Sequence, residues 1–103
     1  MTHTRKVFKN GLSLVTITGL PTSAVTITAY VKGGFRFDSQ NRPGLSHFTE
    51  HIIFNATKNF PKFSNLAQAV ERCGGWCSAF TWIEYQEPSV HFPKDNFEDG
   101  LRL

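Results

Sequence analysis

No run of apolar residues in this sequence approaches the ~20 that a membrane-crossing helix needs, so a helical span is excluded. The start, Met1-Thr2-His3-Thr4-Arg5-Lys6, leads straight into a strand-like pattern with no apolar leader behind it. The expected compartment is therefore the cytoplasm. Cysteine is scarce. The two present, Cys73 and Cys77, are too few for a secreted disulfide framework, and reduced, partly buried thiols are expected. Charge is sparse as well: 18% of residues are charged, the net charge is +3, and Lys and Arg are scattered. That gives no footprint for nucleic acid or an anionic membrane. Repeats, low-complexity tracts and linkers are missing, so 103 residues amount to one small domain with one modest core. Phenylalanine is what the chain has in excess. Its ten Phe residues are expected to pack that core.

Asn10-Gly11 predicts a hairpin turn, with Val7-Phe8 before it and the strand Leu12 to Ile17 after it. Gly19 to Ser23 reads as a loop. Val25, Ile27, Ala29 and Val31 then alternate with Thr26, Thr28 and Tyr30, the two-residue period of a half-buried strand that stops at Gly33-Gly34. From Pro43 the period becomes helical, with Leu45, Phe48 and Ile52 as its apolar positions. A second helix starts near Ser64 as N-cap, carries Leu66, Val70 and Cys73 on one stripe, and ends at Gly74-Gly75. Trp76–Thr81 and Val90–Phe92 are expected to be paired strands. Asp95 and Glu98 resemble a capping box that opens a last helix. That helix runs into Leu103 about two turns later without a stop signal, so a domain truncated at Leu103 is expected. The order β-β-β-α-α-β-β-α predicts an α+β fold, a largely antiparallel sheet with helices packed on one face.

The chemistry lies in His47-Phe48-Thr49-Glu50-His51. At 100° per residue, His47, Glu50 and His51 share one narrow sector of the helix, and Leu45, Phe48 and Ile52 share another. Phe48 and Ile52 are therefore expected against the sheet, with His47 and Glu50 accessible. Imidazoles four residues apart can reach one Zn²⁺ at about 2.0–2.1 Å. A carboxylate beside that metal can take a proton from an attacking water and hand it to a leaving amine.

The stretch Pro43-Gly44-Leu45-Ser46-His47-Phe48-Thr49-Glu50-His51-Ile52-Ile53-Phe54 resembles the signature of the insulinase/pitrilysin family of metallopeptidases, which carries the inverted H-x-x-E-H zinc motif. Val31 to Asp38 is similar to the strand and turn before the family's zinc helix, and Cys73-Gly74-Gly75-Trp76-Cys77-Ser78-Ala79-Phe80-Thr81 to its L-G-G-x-x-N-A-x-T segment. Pro93 to Leu101 resembles the start of the helix that follows. The resemblance implies an incomplete copy of the insulinase-type (mitochondrial-processing-peptidase-like) metallohydrolase domain and zinc-dependent endopeptidase activity on peptides or small proteins. It implies one Zn²⁺ on His47 and His51, with Glu50 as catalytic base. It makes Trp76–Thr81 a substrate-binding edge, where Ser78, Ala79 and Phe80 meet an added strand and Ala79 and Phe80 offer backbone groups. It also implies a second, similarly folded domain or subunit that closes a chamber.

The family's third zinc ligand is a Glu further along, and none of Glu71, Glu84, Glu87, Asp95, Glu98 or Asp99 stands in a matching position. Ser78 replaces the usual Asn, and Glu87-Pro88 interrupts a strand, which argues for an edge or a bulge. Two other readings remain. One is a non-catalytic relative that keeps a peptide groove. The other is a structural zinc module of Cys73, Cys77, His47 and His51. His91 reads as a surface or cross-strand residue, and Arg36 and Asp38 as a pair across the turn before the helix.

Overall fold

Asn10 and Gly11 close the first hairpin as their types require. Gly11 sits at φ 88°, in the left-handed region that glycine enters at little cost. Asn10 Oδ1 accepts the Leu12 N–H at 3.1 Å. The flanking strands β1 (Thr2–Val7) and β2 (Ser13–Thr18) pair antiparallel, Thr2 opposite Thr18 through Val7 opposite Ser13. The computed structural model describes all residues, Met1–Leu103.

The α+β architecture is as expected and every strand pair is antiparallel, but the strands part into three ladders. The central one has β7 (Ser89–Pro93) between β3 (Ala24–Thr28) and β5 (Trp76–Ser78). β4 (Val31–Lys32) and β6 (Tyr85–Gln86) form a short third ladder. The long alternating strand thus breaks after Thr28, where Ala29 N–H bonds to Pro88 O. Pro88 falls between β6 and β7, where no ladder N–H is needed. His91 is cross-strand: its Nδ1 lies 2.9 Å from Thr26 Oγ1, and its ring stacks on Trp76 at 3.8 Å.

Three helices complete the fold: α1 (Leu45–Asn55), α2 (Phe63–Arg72) and α3 (Phe97–Gly100). No helix is long and apolar enough to cross a membrane. α2 behaves as its stripe predicts, with Leu66, Val70 and Cys73 all buried. It starts earlier than expected, with Lys62 rather than Ser64 in the N-cap position and no side-chain cap. The capping box at Asp95 and Glu98 does not form. A 3-10 turn over Lys94–Asn96 leads into α3, and the Asn96 amide donates instead to Cys73 O at 3.1 Å, tying α3 to the end of α2.

Two burial expectations fail. Among the ten Phe residues only Phe92 is buried, and the full apolar core is Leu66, Val70, Cys73 and Phe92. The outer face of α1 is open: Phe48 is 61% exposed, Ile52 46% and Leu45 45%. The reason is shape. The radius of gyration is 15.3 Å, against about 13 Å for a compact chain of this length. The β1–β2 hairpin packs mainly on itself, every residue of both strands being exposed, and α1 packs chiefly against α2 and the turn at Phe35–Phe37, which leaves Leu45, Phe48 and Ile52 uncovered. Phe48→Ala is accordingly expected to change the stability of this chain by no more than about 0.5 kcal/mol, the range of ordinary surface substitutions. Chemical denaturation of both forms checks this; a loss of several kcal/mol would mean that Phe48 has a packing partner after all.

Candidate metal centre

The start of α1 is pinned before its functional residues appear. Arg36 does not pair with Asp38. It pairs with Glu84, an exposed contact that contributes only about 0–1 kcal/mol. Asp38 turns to the helix instead. It accepts the backbone N–H groups of Gly44 at 2.8 Å and Ser46 at 3.0 Å, and the Ser46 hydroxyl at 2.6 Å. It thus does the work of an N-cap from six residues before Gly44, whose φ of 83° turns the chain into the helix. The Ser46 hydroxyl also lies 3.0 Å from Gly34 O, and Gln86 Nε2 donates to Ser46 O at 2.5 Å.

These bonds hold Asp38 below the usual carboxylate range. The Ser46 hydroxyl is the main cause, helped by the backbone N–H groups of Ser46, Gly44 and Leu45 and opposed by desolvation. A lowered native pKa stabilises the fold above the unfolded value, near ~3.9, and that contribution is lost as pH falls through the native value. Relative to the intrinsic rate at each pH, amide exchange at Gly44 and Ser46 is therefore expected to quicken as pH falls below the unfolded value, near ~3.9. Asp38→Ala should show the quickened exchange already at neutral pH. Equal exchange in both proteins at pH 7 would remove Asp38 from this role.

One turn further on, the motif converges. His47 Nε2 and His51 Nε2 lie 3.1 Å apart, and the ring centroids are 4.7 Å apart. Glu50 joins them: one ligand atom from each of His47, Glu50 and His51 lies within 4.8 Å of the others. Both histidines are exposed and Glu50 is half-buried. The Phe35 ring stands edge-on to His47 at 6.3 Å. Glu50 is held by a residue from outside the helix, Thr81, whose hydroxyl donates to Oε2 at 2.5 Å. An open cleft of about 600 Å³ lies elsewhere, between Tyr30, Lys32, Arg36, Phe37, Glu84 and Tyr85, and contains none of the three.

The donor set suits zinc. Two nitrogens at tetrahedral positions about 2.05 Å from one ion lie about 3.3 Å apart, close to the observed 3.1 Å. As the rings stand, one Nε2–H can donate to the other Nε2, and a metal ion can take the place of that proton. No further acid joins the group. Nor do the cysteines, which overturns the structural Cys₂His₂ reading: Cys73 is buried, Cys77 half-buried, and both are free thiols. Burial pushes both thiols up, away from the thiolate form that binds metal.

The proposed edge residues follow the antiparallel alternation. Ser78 ends β5, opposite Ser89. Phe80 has both backbone groups bonded to Glu87, N–H to O at 3.3 Å and O to N–H at 2.8 Å. Its backbone is therefore taken, contrary to the sequence expectation, and only its exposed ring is free. Ala79, one residue earlier, is turned the other way, and its N–H and C=O have no backbone partner. Sequence reasoning missed Asp38, Gln86 and the Thr81 contact. Thr81 stands in the quoted A-x-T segment, but nothing local in the sequence links it to Glu50.

The sequence model of the family Insulinase (peptidase family M16) matches residues 14–103. Mouse insulin-degrading enzyme is 36% identical over 92 residues, which are 89% of this chain and 9% of that enzyme. The zinc protease PqqE of Helicobacter pylori is 28% identical over 98% of this chain and 23% of its own length. The crystal structure of a protease from Helicobacter pylori superposes with a TM-score of 0.87 at 27% identity, over 97% of this chain and 24% of that one. The chain thus spans no more than about a quarter of the proteins it resembles.

Proposed function

Because the chain belongs to the insulinase family, peptidase family M16, we infer that it is the part of a zinc-dependent metalloendopeptidase that carries the metal-binding histidines and the catalytic base. The observation that carries this reading is the 3.1 Å approach of His47 Nε2 and His51 Nε2 with Glu50 beside them. Residues 1–103 are, in this reading, the N-terminal part of a single peptidase domain. A bound Zn²⁺ supplies Lewis acidity, which polarises a scissile carbonyl and acidifies water. His47 and His51 hold it, and Glu50 takes a proton at its carboxylate and returns it to the leaving amine. Peptides or small proteins are the substrates. They add as a strand along the edge after β5, where Ala79 offers free backbone groups and Ser78 and Phe80 offer side chains. A second homologous domain or subunit closes over that edge, and the third zinc ligand is a carboxylate outside these residues.

Zinc titration of the 103-residue chain tests the metal assignment. His47→Ala and His51→Ala should each weaken binding by at least the 10–100-fold that the loss of a mere supporting partner costs. Glu50→Gln should leave the affinity within a few-fold. Unchanged affinity in both histidine variants would sink the site.

A further inference from the structure

Glu50 is gripped from the sheet. Thr81 follows β5 and forms an isolated antiparallel bridge with Gln86. Residues directly opposite in such a bridge project to the same face. Here both side chains reach α1, at two successive levels: Gln86 Nε2 donates to Ser46 O and the Thr81 hydroxyl donates to Glu50 Oε2. The bridge is thus a two-point clamp. One point fixes the first turn of the helix; the other fixes the carboxylate itself. Phe80 and Trp82, on either side of Thr81, are held by bonds to Glu87 and Tyr85, so the clamp stands on paired backbone.

We propose that Thr81 is a positioning residue for Glu50, its hydroxyl setting the plane of the carboxylate so that the other oxygen is presented to the space between carboxylate and imidazoles. The proposal rests on the metal-and-base reading above. A glutamate has three rotatable bonds, and an exposed one samples many rotamers. A hydroxyl bond to a carboxylate is directional, and it selects among those rotamers before any substrate arrives. It also ties the base to the segment after β5 whose free backbone edge lies at Ala79. A β-branched residue at this point also suits a strand for reasons of shape alone, and the test must separate shape from the hydroxyl.

The test uses the metal-free 103-residue chain carrying ¹³C at the glutamate carboxyl carbons, with the Glu50 resonance identified by its loss in Glu50→Gln. Thr81→Val keeps the shape and removes the donor; Thr81→Ser keeps the donor. The Glu50 resonance should shift clearly in Thr81→Val, return to its original position in Thr81→Ser, and do so with helix content unchanged. In the unaltered chain the Thr81 hydroxyl proton should be visible and slow to exchange. An unmoved resonance in Thr81→Val, or an equal shift in Thr81→Ser, overturns the proposal. If Thr81→Val does not fold, the hydroxyl decides alone: exchange at the bulk rate overturns it, protection upholds it. Zinc is added last. Its failure to bind removes the metal reading and leaves the Thr81–Glu50 result standing, so the two failures are distinct.

Discussion

Phe92→Ala is expected to unfold this chain. Phe92 is 2% exposed and lies on β7, the central strand of the three-stranded ladder. It stands opposite Val25 of β3, and its ring meets Phe97 at 6.3 Å. Two glycines make room for it. A Cβ on Gly75 would clash first with the His91 carbonyl oxygen and come within 3.2 Å of the Phe92 Cβ, and one on Gly100 would come within 2.5 Å of the ring atoms Cδ1, Cε1 and Cζ. Truncating a buried Phe to Ala typically costs 3–5 kcal/mol. With a core of only four apolar side chains, that loss is comparable with all the stability such a chain can hold. Gly100→Ala sharpens the point. In a helix Gly→Ala normally stabilises by roughly 0.5–1 kcal/mol. Here the added methyl is forced against a buried ring, so the sign should reverse. Thermal and denaturant unfolding of both variants check this. A Phe92→Ala chain with an unchanged midpoint, or a stabilised Gly100→Ala chain, would show that the core lies elsewhere.

How much of this is legible in the sequence depends on the range of each interaction. The Asn10-Gly11 hairpin, the α2 stripe and the clustering of His47, Glu50 and His51 follow from spacings of one to four residues, and the structure contains all three. The exposed face of α1 was misjudged for a different reason. Periodicity identifies Leu45, Phe48 and Ile52 as one face but says nothing about whether a second layer exists to cover it. The cap of α1 is not legible locally because Asp38 binds Gly44 from six positions away, and the capping signals read at Ser64 and Asp95 for α2 and α3 are not used. The partner of Glu50 lies thirty-one residues away, on an element whose register had to be known first.

The largest effect concerns catalysis and depends on ligand count. The chain should bind zinc weakly and cleave no peptide at a useful rate. His47 and His51 can hold the ion, but catalytic zinc sites take three protein ligands plus water, and no further acid of this chain reaches the group. Both histidines are exposed, so water competes for every position. Nothing in the chain holds a peptide against the edge at Ala79, and misplacement by about 1 Å alone can lower a rate about 100-fold. On the reading proposed above, a longer polypeptide that supplies a third, carboxylate ligand should tighten zinc binding, and one that also supplies a second homologous domain should cleave. In that longest form Glu50→Gln should lower kcat by about 10²–10⁴-fold, the usual contribution of a general base, while zinc stays bound. Zinc titration and a quenched-peptide assay on each length measure these steps. Vigorous, chelator-sensitive cleavage by the purified 103-residue chain would contradict the ligand count, and would point either to a third ligand within residues 1–103 or to one donated by a second copy.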